Sequence, residues 1–154
     1  MTENINPLQK YYRQPAIYIK LPSEGRYYDK NVFTPSETSE IPILPMTAKD
    51  ELTFKTPDAM INGQATVDVI KSCVPNLLDP WKMVNYDTDT ILLAIRIATY
   101  GETMNIKFGV PVTGTQQEHT VNLSAILEQL GKVKIQDYAT TSKGFKIKIN
   151  PLTY

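Results

Sequence analysis

Hydrophobic positions change period three times along the chain. Residues 16–22, AIYIKLP, alternate and are bounded by Pro15 and Pro22. That pattern predicts a short edge strand. SEGRYYDKN follows as a turn pivoting on Gly25, and residues 32–40, VFTPSETSE, read as an exposed loop. IPILP at 41–45 returns as extended chain. Its two prolines exclude a central strand, so it is expected to pair with 16–21.

Helical spacing takes over at Thr47. Thr47 and Asp50 have the spacing of a capping box, with Asp in place of the usual Glu. Pro57 fits a first helical position with Asp58 in the first turn, and Asn62-Gly63 ends or bends that piece. QATVDVIKSCV then places Ala65, Val69, Ile70, Cys73 and Val74 on one face before Pro75 stops it. An irregular link, NLLDPWKMVNY, carries the only tryptophan, Trp81. DTDTILLAIRIATYG predicts an apolar helix over 88–100, with Asp87 as N-cap and Gly101 as stop.

After Gly101 the period drops to two. MNIKFGVP and EHTVNL alternate about VTGTQQ, a hairpin signal. SAILEQLG reads as a short helix with Ser124 as cap and Gly131 as stop. KVKIQDY and GFKIKIN read as a second hairpin, with Val133, Ile135, Phe145, Ile147 and Ile149 on one side and lysines on the other. The fold class is α+β: a small N-terminal antiparallel sheet, a central helical body, and C-terminal β-hairpins with a short helix. Residues 1–15 form an arm. Residues 16–154 form one domain, divided into a sheet at 16–46, a helical body at 47–101 and a hairpin region at 102–154.

Arg96 is out of place in this pattern. It sits in a helix that is apolar nearly all round, sharing one narrow side with Asp89 and Thr99. It can snorkel along a wet stripe, pair with a carboxylate inside the fold, or lie at a contact with another chain. The expectation is a buried ion pair with one or more of Asp50, Asp58 and Asp89.

Composition narrows the function classes. One cysteine, Cys73, excludes an intramolecular disulfide framework, and the N-terminus lacks a leader pattern. No run approaches the ~20 apolar residues of a membrane span. Formal net charge is zero, but unevenly spread. Residues 1–31 hold five Lys/Arg and three acids, 32–131 six and twelve, and 132–154 five lysines and Asp137 alone. Such a chain docks head-to-tail on copies of itself or on partners of mixed charge, or its ends fold back onto its middle.

Catalytic chemistry finds little support. The only histidine, His119, lies in an exposed strand position, and Cys73 sits on an apolar helix face. The carboxylate pairs Asp50/Glu51 and Asp87/Asp89 fall in first turns of helices, where capping accounts for them. PSEGRYY is no phosphate loop, and one Cys with one His cannot build a zinc cage. No cofactor is expected. YYR and RYY interleave cations and aromatics as single-strand nucleic-acid binders do, but a neutral chain argues against nucleic acid. Tyr and Arg are also enriched at protein–protein hot spots, so Tyr11, Tyr12, Arg13, Arg26, Tyr27 and Tyr28 are candidate partner-binding residues.

IYIKLPSEGRYYD, IPILPMTAKDELTFKTPDAMINGQATVDVIKSCVPNLLDPWKM and DTDTILLAIRIATYG together resemble the baseplate hub subunit family of T-even-type contractile-tailed bacteriophages, over roughly residues 16–124. The resemblance implies a non-enzymatic virion structural protein, made late, that works beside other hub proteins in the tail baseplate after assembly in the host cytoplasm. A transient tail-assembly chaperone absent from the virion is the alternative, and a hub-associated cell-wall hydrolase a third reading. Relatives carry a Cys-x-x-Cys knuckle after the YG segment, where this chain reads KFGVPVTG, so no metal is expected. They also continue into further helix past a segment like PLTY.

Overall fold

A computed structural model describes residues 12–34, 38–57, 61, 63–109, 114–133 and 135–154. Tyr11, Asp58 and most of the helix expected from Pro57 lie outside the described residues. β1 (Ile17–Ile19) pairs antiparallel with β2 (Ile41–Ile43), with Tyr18 opposite Pro42. α1 (Ala48–Phe54) opens on Thr47, whose hydroxyl accepts from the Asp50 amide while the Asp50 carboxylate accepts from the Thr47 amide. α2 (Gln64–Cys73) follows Gly63, whose φ of +73° is open to glycine at no steric cost. A 3-10 turn at Pro80–Lys82 leads into α3 (Asn85–Tyr100). The hairpin of β3 (Thr103–Gly109) and β4 (Gln116–Asn122), α4 (Leu123–Gly131), and the hairpin of β5 (Tyr138–Thr140) and β6 (Lys146–Lys148) complete the α+β fold.

The core lies between the β1–β2 sheet and helices α2 and α3. Ile19, Ile41 and Ile43 meet Val69, Ile70 and Cys73 from α2 and Ile91, Ala94 and Ile95 from α3. Val32 and Phe33 join them, and Phe33 bridges to Leu77. The loop expected at 32–40 is therefore anchored at its start: two large apolar side chains gain more from burial than the loop gains from solvation.

Three helix and strand boundaries differ from the sequence expectation. α3 begins at Asn85, so Asp87 is in its first turn and is not the N-cap. Its start is capped by distant chain: Val84 N–H donates to the Tyr28 hydroxyl at 3.1 Å and Asn85 N–H to the Leu152 carbonyl at 3.0 Å. At α4 the cap is Asn122, not Ser124, its side chain accepting from the Ala125 amide at 3.0 Å. The last hairpin is shorter than expected. Its first strand starts at Tyr138 because the turn closes at Thr141–Gly144, where Thr141 N–H reaches the Phe145 carbonyl and Gly144 N–H returns to Thr141. Val133 and Ile135 lie before that strand rather than within it.

Candidate docking surfaces

Three polar joints tie the N-terminal segments to the rest of the chain, two to the helical body and one to the C-terminal third. At the first, the Arg13 guanidinium reaches Asp50 at 3.2 Å and donates to the Ser72 carbonyl, while the Ser72 hydroxyl donates to the same carboxylate at 3.0 Å. Burial pushes the Asp50 carboxyl up, but its bonds from Thr47 and Ser72 and the Arg13 charge outweigh that and hold it below its ordinary value. At the second, Asp87 is fully buried and accepts from the Ser23 amide at 3.0 Å and from the Tyr28 hydroxyl. Burial raises this carboxyl above the ordinary range, against the pull of its Ser23 and Tyr28 bonds. At the third, Asp137 receives both the Arg26 guanidinium, at 3.3 Å, and the Tyr27 hydroxyl. The Asp137 bond holds the Tyr27 phenol above its usual value. Arg26 also lies over the Tyr27 ring, 5.8 Å from its centroid.

These joints revise the residue roles expected from sequence. Asp50 pairs with Arg13 and not with Arg96, because Arg13 arrives from outside the helices with a free approach to the capping box. Asp89 does not pair with Arg96 either. Seven residues separate them on one helix, and only side chains three or four apart meet on a helix surface. Arg96 instead lies half-buried over the Tyr100 ring, 4.4 Å from its centroid, and its Nη1 is buried without an acceptor among the described residues. The polar groups of Arg13, Arg26, Tyr27 and Tyr28 are engaged within the chain. Of the expected partner-binding set, Tyr12 is 56% exposed and Arg26 keeps an exposed side chain.

The C-terminal third is built differently from the body. Among the described residues of 102–154, only Leu123 is buried. On the β5–β6 hairpin, Ile147 opposes Ala139 on one face, in line with Phe145 and Ile149, while Lys146 and Lys148 take the other face with Tyr138 and Thr140. Phe145 is 68% exposed and Ile147 53%. On the β3–β4 hairpin, Met104, Ile106 and Phe108 share a face with Val121, His119 and Gln117. Two hairpins thus present apolar faces that the described residues of their own chain leave open. The end of the chain does dock: Tyr154 N–H donates to the Met83 carbonyl at 2.8 Å, and its ring lies 5.7 Å from Trp81.

A family model described as T4 bacteriophage base plate protein matches residues 16–154. The chain belongs to the T4 bacteriophage base plate protein family. The match runs through both hairpins, beyond the stretch that carries the resemblance in the sequence. No curated protein and no solved structure matches the chain.

As a phage baseplate structural protein, the molecule needs faces more than a cleft. Its depressions are open. One of about 620 Å³ is lined by Lys20, Pro22, Glu24, Arg26, Lys132 and Val133, and one of about 400 Å³ by Lys20, Glu24, Phe33 and Ser39. His119 faces solvent opposite Ile106. Burial pushes the Cys73 thiol up to about 11, far from a thiolate at neutral pH. Among the described residues no cluster of three His, Cys, Asp or Glu stands ready for a metal, and no helix is long and apolar enough to cross a membrane.

Proposed function

We propose that this baseplate protein is a subunit or assembly factor of the baseplate hub, working by protein–protein docking and without turnover. One observation carries the reading: the exposed apolar faces of the two C-terminal hairpins. Contiguous apolar surface on a folded chain marks an interaction site, and open strand edges extend a neighbour's sheet through main-chain hydrogen bonds. The Phe145/Ile147/Ile149 face fits an apolar partner surface, while Lys146 and Lys148 on the opposite face of the hairpin suit an acidic neighbour. The partners are other baseplate or tail proteins. In this reading Tyr12 and the N-terminal arm add contacts, while Arg13 and Tyr28 serve the internal joints.

The test is complementation of phage growth with the paired substitution Phe145→Ser, Ile147→Ser. Both side chains are already exposed, so the variant should melt like the wild type yet fail to enter baseplates. Normal incorporation of this variant would refute docking through the hairpin. Presence in assembling intermediates but not in finished tails would instead assign the chain to the assembly-chaperone role.

A further inference from the structure

Residues 152–154 reach the body as a separate strap. Tyr154 N–H donates to the Met83 carbonyl at 2.8 Å and Asn85 N–H to the Leu152 carbonyl at 3.0 Å, so Thr153 lies antiparallel to Val84. Val84, at the N-cap of α3, makes no side-chain cap. The first backbone N–H groups of a helix lack intrahelical partners, and at Asn85 the strap supplies the missing acceptor. The Tyr154 ring is seated as well. It lies 5.7 Å from Trp81 at a tilt of 31°, against Gly63, where a Cβ would stand 3.1 Å from the Tyr154 hydroxyl.

The strap is joined closely to the last hairpin and lightly to the core. Only Asn150 and Pro151 separate Leu152 from Ile149, whose N–H donates to the Asp137 carbonyl at the root of that hairpin. Pro151 fixes its own φ and biases Asn150 towards extended backbone, which leaves little slack. Leu152, Thr153 and Tyr154 are exposed, and none of the described residues from 124 to 154 is buried. The strap thus rests on two backbone hydrogen bonds and a seated ring, with no core side chain of its own. The hairpin has a second attachment, the Asp137 joint to Arg26 and Tyr27. Few buried apolar contacts are the mark of a segment that opens ahead of the core.

We propose that residues 152–154 form a releasable strap. Closed, it completes the start of α3 and fixes the last hairpin against the helical body. Open, it leaves the hairpin held at the Asp137 joint and free to swing about it, while the core stays folded. A partner that holds the hairpin away from the body favours the open form by as much as its affinity differs between the two forms. The strap does not depend on that partner being a hub protein.

Asn85→Pro tests it by acting on the strap and sparing the helix. Proline is favoured at the first helical position, and the extended backbone of Val84, with ψ 137°, suits the residue before it, but the ring removes the donor to Leu152. Tyr154→Ala empties the ring seat from the other side, and Trp81, the only tryptophan, reports the loss. In the full wild-type chain the amide at position 154 should exchange faster than the core amides of α2. In both variants that exchange should rise about three- to tenfold, the factor expected from one lost contact of hydrogen-bond strength. Trp81 emission should shift to the red, and backbone nitrogen relaxation over 138–148 should show added motion, while the α2 amides keep their protection. Three results overturn the proposal: position 154 exchanging only with global unfolding in the wild type, α2 losing protection together with the strap in Tyr154→Ala, or both variants matching the wild type in strap exchange and hairpin motion.

Discussion

Removing one hydroxyl, in Tyr28→Phe, should loosen two joints at once. The Tyr28 hydroxyl donates to the buried Asp87 carboxylate and accepts the Val84 amide at the start of α3. The ring itself stays in place, edge-on to Phe33 at 6.2 Å, so packing is preserved. A hydrogen bond to a charged group contributes about 1.5–3 kcal/mol and a neutral one about 0.5–1.5 kcal/mol, so the substitution should cost roughly 2–4 kcal/mol. For a domain of this size that lowers the melting temperature by roughly 5–15 °C. The pH dependence separates this account from simple loss of packing. Asp87 has a raised folded value, so its contribution favours the fold below its unfolded value and is lost as pH rises through the folded one. The Tyr28 bond opposes that rise by stabilising the ionised form. Without it the deficit relative to wild type should be largest near neutral pH and shrink as Asp87 protonates. Thermal and denaturant unfolding at about pH 4 and about pH 7 bracket the carboxylate range. A loss below roughly 0.5 kcal/mol, within the range of ordinary surface changes, or a deficit that is the same at both pH values, would refute the reasoning.

Other expectations are narrower. Asp50 has a lowered folded value, so its contribution is present above the unfolded value and lost as pH falls through the folded one; Arg13→Gln should remove part of it, seen as a smaller stability loss on acidification in urea unfolding. Gly63→Ala should destabilise by about 1–3 kcal/mol, because a Cβ at φ +73° would sit 3.1 Å from the Tyr154 hydroxyl and 3.3 Å from Trp81. Differential scanning calorimetry reads that loss. Asp137→Ala should free the last hairpin from Arg26 and Tyr27, raising amide exchange over 138–148 while the core amides of α2 and α3 keep their protection.

The features plainly legible in the sequence are those in which local pattern and tertiary environment agree. The alternation of IPILP with its prolines marks the edge strand, and Thr47 with Asp50 forms the capping box where the spacing places it. The lysine and apolar faces of β6 are also visible in the alternation GFKIKIN. The less legible features depend on residues far apart. Nothing local couples Tyr28 to Asp87, or Leu152 to Asn85, so local pattern alone starts α3 too late and offers Asp87 as a cap. The Asp50 partner is hidden for a related reason: Arg13 lies in a segment whose sequence reads as a loose arm, while Arg96 stands in an apolar helix that invites a counter-ion. Val32 and Phe33 are masked by the polar residues that follow them. A signal is present in that case, since two adjacent large apolar residues at the head of a loop are seldom left in water.

Cross-linking of purified baseplates, read by mass spectrometry, tests the central claim most directly. If the C-terminal hairpins exist to be covered by neighbours, Lys107, Lys143, Lys146 and Lys148 should link to other baseplate proteins. Recovery of the chain with those lysines linked only within itself, and with the Phe145/Ile147 face still open to solvent labelling, would contradict the account.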